Sequence, residues 1–283
     1  MKKFKLSEYD NLTTLQNYID RLSLLALTIF EWEGLPDSID ERYLEKTLLY
    51  HGKILFFNDL MLGEPLALKC FGSGMLNHYD LPISYTTSAT NHSETYDVKD
   101  CVLMRDNYLE IPCYDTIVQF AYRLANAERT IDVNIHAQKT PVLILTKEKQ
   151  KQTMLNVYAK YDGFEPVIFG NKDTLDPSDI QVLKTEAPFV ADKLQAYKHQ
   201  IWNEALTYIG IDNSNTDKKE RLITSEVDSN SDNVDLSAQT RLMPRLQACK
   251  LINEKLGLNI SVKVRDLTLN SNGVNVTTTE VVM

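Results

Sequence analysis

Two long apolar stripes of helical period, set on either side of a short α/β segment, constrain this chain more than any other feature. In the first, Ile117, Phe120, Leu124, Ala127, Ile131 and Ile135 step by three and four, which predicts a helix over 114–138. Thr140-Pro141 stops it, because proline lacks an N–H and pushes its predecessor toward extended geometry. In the second, Val190, Leu194, Tyr197, Ile201, Ala205 and Tyr208 predict a helix over 186–210. Thr185 stands at its N-cap, Pro188 in its first turn and Gly210 at its end. Between the two, "PVLIL", "PVIFG" and "IQVLK" read as strands and 149–160 as a short helix, so 142–184 is a compact α/β insert. Helices of this length reach on the order of 35 Å, which suits an elongated subunit better than a globule.

The flanking sequence adds helix and sheet. Leu12, Leu15, Ile19, Leu22, Ala26 and Ile29 predict a helix over 11–31. Ser38 and Glu41 have capping-box spacing, and Gly52 marks the end of a second helix over 39–51. From Lys53 to Pro112 the runs "KILFF", "PLALKCF", "PISYTT" and "CVLM" are short, β-rich and divided by Gly, Asn, Asp and Pro, which predicts a small antiparallel sheet. Gly72-Ser73-Gly74 reads as a turn between strands. Ile209–Thr240 is a polar tract rich in Asn, Ser and Asp, longer than a compact domain ordinarily tolerates as a structureless loop. Helix is expected to resume over 240–256, followed by a strand at "NISVKV" and a polar tail from Leu267. The fold class is therefore α+β.

Composition narrows the chemistry. The net charge of −9 and pI near 5.1 argue against a chain that grips nucleic acid through a broad basic face. Cys70, Cys101, Cys113 and Cys249 form no CxxC and lie near no histidine at metal-ligand spacing, so they read as buried thiols of a reducing compartment. No apolar run is long enough to span a bilayer, and "MKKFKLSEYD" lacks a signal peptide's apolar core. There is no phosphate-binding GxxxxGK[ST], no HExxH and no GxSxG. Asp37, Asp40 and Glu41 read as helix capping, and Asp228 and Asp232 as solvated charge. Lys218, Lys219 and Arg221 are the basic cluster of the polar tract, interleaved with Asp217 and Glu220; by themselves they read as a solvated patch.

"FEWEGLP", "HAQKTPVLIL", "PVIFG", "VLKTEAPFVADKLQAYKHQIWNEALTYIGI", "KKERLITSEV" and "ACKLINEKLGLNISVKVR" resemble the portal protein, also called upper collar or head–tail connector, of phi-29-like short-tailed phages. The resemblance is dense from Asn134 to Arg265, recurs over Phe30–Gly52, and is loose over 53–111. It implies a non-enzymatic ring, commonly of twelve copies, at one capsid vertex of the virion, assembled in the host cytoplasm. Double-stranded DNA passes through it during packaging and ejection. Its implied partners are the major capsid and scaffold proteins, a separate packaging ATPase and a lower collar or tail protein, with no cofactor, metal or membrane.

The same resemblance divides the chain into an N-terminal wing (1–112), a first stem helix (113–141), a clip (142–184), a second stem helix (185–211), a channel loop (212–238) and a wide-end helix, strand and tail (239–283). It places Lys184 and Lys193 at the clip–stem junction, and Lys218, Lys219 and Arg221 in a loop facing the DNA. The family's Arg- and Lys-rich N-terminal arm is reduced here to Lys2, Lys3 and Lys5, so a packaging-RNA partner is left open. The alternatives are another ring adaptor of the tail, or a phage enzyme acting on nucleic acid or the cell wall.

Overall fold

The structure is a computed structural model that describes residues 6–138, 142–144, 180–182, 188–211 and 224–265. By its internal contacts the chain divides into two units, Met1–Ala125 with His199–Met283, and Asn126–Lys198.

In the first unit, helix α1 (Leu6–Leu27) buries Tyr18, Ile19, Leu22 and Ala26 on one face, while Leu12 stays exposed. The helix ends earlier than its apolar spacing suggests. Phe30–Glu33 forms strand β1 instead, with Phe30 and Trp32 turned into the core. Its partner is distant: β10 (Ser261–Val264) pairs antiparallel with it, Phe30 opposite Val264 and Glu33 opposite Ser261. A strand fixed by a partner so far along the chain leaves no local periodic signal, and period alone extends the helix through it.

Helix α2 (Glu41–His51) is capped by Asp40, whose side chain accepts from the Tyr43 N–H, and not by Ser38. Asp40 directly precedes the first helical residue, and Ser38 Oγ is taken up as a donor to the Pro65 carbonyl at 2.6 Å. Gly52 ends α2 as its sequence position suggests.

The middle region holds two three-stranded antiparallel sheets where one was expected. In the first, β2 (Lys53–Asn58) lies between β3 (Pro65–Leu68) and β7 (Cys101–Arg105). Alternation along β2 sends Ile54 and Phe56 into the main core and Leu55 and Phe57 into a smaller cluster with Cys70, Tyr85, Tyr96 and Cys101. Burial on both faces explains why "ILFF" is an unbroken apolar run. The second sheet is β4 (Cys70–Leu76), β5 (Pro82–Thr87) and β6 (Thr95–Asp97). Gly72-Ser73-Gly74 lies inside β4 and is not a turn; the register of β4 on β5 shifts between Ser73 and Leu76. A Cβ at Gly72 would stand 2.4 Å from Pro82 Cγ, so the glycine there answers a close approach between strands.

Helix α3 (Tyr114–Gln138) matches its sequence reading, with Ile117, Ala121 and Leu124 fully buried toward its N-terminal end. In the second unit, β8 (Val142–Ile144) and β9 (Ile180–Val182) pair antiparallel, Val142 opposite Val182. The expected strand at "PVIFG", the helix at 149–160 and the N-cap Thr185 lie outside the described residues.

Helix α4 (Ala191–Ile209) begins later than 186, and Pro188 precedes it. Asn134 of α3 organises this entry: its Oδ1 accepts from the Val190 N–H at 3.0 Å and its Nδ2 donates to the Pro188 carbonyl at 2.9 Å. Gly210 then closes α4 at φ +95°, and a Cβ there would stand 2.9 Å from Ala238 Cα. Both the left-handed backbone and the close approach demand glycine.

Helix α5 (Thr224–Leu256) starts well before 240, so residues 224–238, expected within a polar loop, are helical. Val234, Ala238, Arg241, Leu242, Arg245, Ala248, Cys249 and Ile252 form one buried stripe along it. Two members of that stripe are arginines, which hides it from a hydrophobic reading. Packing of the stripe overrides the weak helix propensity of Asn, Ser and Asp.

Candidate channel and assembly surfaces

Of the five cations assigned to the channel by resemblance, Lys193 lies among the described residues, exposed beside Asp192 in the first turn of α4. Lys184, Lys218, Lys219 and Arg221 lie outside them. Elsewhere in the second unit, Lys198 Nζ meets Glu128 Oε2 at 2.6 Å and Arg129 meets Asp132 at 2.9 Å, so these basic side chains are matched by acidic neighbours.

The apolar faces of α3 change along its length. Its N-terminal seam is closed, whereas Val133 and Ile135 stand 65% and 48% exposed, and Tyr122 is exposed three turns before Val133 on the same side. Phe189 and Tyr197, at the start of α4, are exposed as well.

Midway along α5 sits a buried ionic knot that the sequence reading missed. Arg245, completely buried, donates to Glu45 Oε1 at 3.1 Å and Oε2 at 2.9 Å, and to Asp106 Oδ1 at 2.7 Å. Arg241 Nε donates to the same Asp106 oxygen at 3.1 Å. Trp32 Nε1 donates to Glu45 at 2.9 Å, and Cys113 Sγ donates to Asp106 Oδ2 at 2.8 Å. Phe30 lies under both guanidinium groups, 4.2 Å from Arg245 and 5.2 Å from Arg241. Two guanidinium groups and two carboxylates make the knot neutral, the condition under which buried charge is tolerated.

Burial pushes the Asp106 carboxyl up, but Arg241 and Arg245 more than offset that and hold it at about 2. Burial lowers the Arg245 pKa, and Glu45 and Asp106 outweigh it, raising the group above its usual range. The knot fixes α5 to α2, to β1 and to the segment between β7 and α3. A sequence signal for it existed in the (i, i+4) spacing of Arg241 and Arg245 inside a stripe of small apolar residues.

Burial raises the thiols of Cys101 and Cys113 to about 11 and those of Cys70 and Cys249 to about 12, away from reactive thiolate. Among the described residues no group of three or more His, Cys, Asp or Glu side chains is arranged to hold a metal ion, and no helix is long and apolar enough to cross a membrane.

The Phage Connector (GP10) family matches this chain over residues 2–268. The fold is similar to that of a chain in the portal and tail of native bacteriophage P68, at 14% identity and a TM-score of 0.51, covering 94% of this chain and 91% of that one. A chain in the virion of a native gene transfer agent particle is 10% identical with a TM-score of 0.47, over 90% of this chain and 80% of that one. A HK97 family phage portal protein from Corynebacterium diphtheriae is 9% identical with a TM-score of 0.38, over 90% of this chain and 93% of that one.

Proposed function

We propose, starting from the fact that this chain belongs to the Phage Connector (GP10) family and is a portal, or head–tail connector, of the phage virion, that it acts as one stave of a twelve-membered ring around a DNA channel. The carrying observation is the family match over residues 2–268, nearly the whole chain. The exposed Tyr122, Val133 and Ile135 of α3 support side-by-side packing, because a long helix that is apolar beyond its own core needs a neighbour to cover it. In this reading α3 and α4 are the stem, 142–184 is the clip that meets the packaging ATPase and tail, and the helix–sheet remainder is the wing toward the capsid and scaffold proteins.

The charge of the chain fits a conduit. A strongly basic bore would hold DNA by releasing its counterions and would act as a brake. A net −9 per chain lets the duplex slide, while Lys184, Lys193, Lys218, Lys219 and Arg221, repeated by symmetry, give narrow cationic rings that steady it. The role is structural; the work of translocation comes from the separate ATPase.

Native mass spectrometry and negative-stain microscopy of purified protein test the ring, and a monomer at high concentration overturns it. Lys218→Ala with Lys219→Ala tests the channel role. Rings should form normally and packaged DNA should slip back, and full DNA retention would remove these lysines from the mechanism.

A further inference from the structure

The turn joining β2 to β3 reverses the usual polarity of a loop tip. Leu60, Met61 and Leu62 stand 92%, 87% and 65% exposed. Three adjacent large apolar side chains held out in water mark a place that another surface covers. The turn is firmly built. The Asp59 carboxylate accepts from the Met61 and Leu62 N–H groups at 2.7 and 2.8 Å, and the Gly63 N–H donates to the Asp59 carbonyl at 2.8 Å. The other Asp59 oxygen accepts from His92 Nε2 at 2.9 Å, and His92 Nδ1 lies 2.7 Å from Thr87 Oγ1, which clasps the turn to the segment between β5 and β6. A tip already held in one shape loses little conformational entropy when it docks.

The same unit carries a recess of about 530 Å³, with room for more than one aliphatic side chain. Its lining includes Leu81, Ile83, Val98 and Leu251, all exposed, together with three cations, Lys99, Arg105 and Lys255, against one carboxylate, Asp97, so its charge is net positive. Lys255 Nζ is positioned there by the carbonyls of Val98 and Cys101, at 2.9 and 3.3 Å. Glu64, exposed, follows the apolar tip. The chain therefore presents an apolar projection beside a carboxylate and an apolar recess beside two ammonium groups.

We infer that the Leu60–Leu62 tip of one copy docks into the Leu81, Ile83, Val98 and Leu251 recess of the next, with Glu64 facing Lys99 and Lys255. A head-to-tail ring requires each copy to offer two different, complementary patches, and these two are complementary in both apolarity and charge. The contact rests on the ring described above, and it assigns a second copy of this chain as the occupant.

The test places a photo-activated cross-linking residue at Met61 of the full chain and maps the products in assembled rings. Products joining position 61 to Leu81–Ile83, Val98–Lys99 or Leu251–Lys255 of a neighbouring copy are expected. Leu60→Ser with Met61→Ser, at sites exposed in the single chain, should raise the concentration needed for half-assembly by about tenfold or more, the effect expected if about half of the two side chains' apolar surface is buried in the contact. Glu64→Lys and Lys99→Glu should each weaken assembly and together restore it. If the parent forms rings but position 61 cross-links elsewhere, to another protein or not at all, the contact is overturned and the ring stands. If the double serine variant assembles like the parent, the contact is likewise overturned. If the parent forms no rings, both fall.

Discussion

Arg245 holds Glu45 through Nε and Nη2 of its guanidinium group, at 3.1 and 2.9 Å, across a sequence separation of 200 residues. Removing the cation leaves two buried carboxylates with one guanidinium between them. Arg245→Met should therefore cost about 3–5 kcal/mol of unfolding free energy, read by urea denaturation, and Glu45→Gln in that background should recover part of it. A loss below 1 kcal/mol would mean that water replaces the cation, and the knot would not be a structural centre.

Acid should loosen the same place. Asp106 falls from an ordinary value of 3.8 to about 2 in the fold, so its contribution is fully present above the unfolded value and disappears as pH drops through the folded one. The shift corresponds to about 2 kcal/mol. Trp32 reports on it, because its indole donates to Glu45. Acid unfolding followed by tryptophan fluorescence should move to higher pH in Arg245→Met, since Asp106 loses one of the two charges that depress it. An unchanged midpoint would remove Asp106 from the acid response.

Gly210→Ala should destabilise the chain by about 1–3 kcal/mol, through the positive φ together with the 2.9 Å approach to Ala238 Cα. Thermal denaturation gives the measurement. A neutral result would show that α4 and α5 separate there without cost.

Ile201 is completely buried in the seam of α4, as its spacing predicts. Ile201→Asp places an unpaired charge in that seam, with a cost of several kcal/mol. Soluble yield and ring yield should both fall sharply. Normal yields would mean that the seam opens to water in the assembly.

The four cysteines should resist a thiol reagent at neutral pH in the native chain and react in urea, because burial keeps them protonated, at about 11 for Cys101 and Cys113 and about 12 for Cys70 and Cys249. Fast native labelling would show that one of these clusters opens spontaneously.

Sequence made visible whatever depends on near neighbours. The stripe of α3, the Gly52 stop of α2 and the Gly210 end of α4 are each written in the spacing or identity of residues within the element itself, and all were legible. β1 was hidden because Phe30 finds its partner in Val264. The early start of α5 was hidden because the run from Thr224 to Gln239 is rich in Asn, Ser and Asp, and its described buried apolar positions, Val234 and Ala238, are too few to show a helical period. The Leu60–Leu62 tip escaped the sequence reading, because its shape depends on the Asp59–His92 clasp, a contact between two loops.

The antiparallel pair of β1 and β10 makes synthesis of the chain a waiting game. Phe30 leaves the ribosome early and has no partner until Val264 follows, so the core around it closes late. A product terminated anywhere in between retains an unpaired strand and an uncovered Phe30. Such fragments lack a completed core and are poor recruits for a ring assembly in which one defective member would spoil the whole.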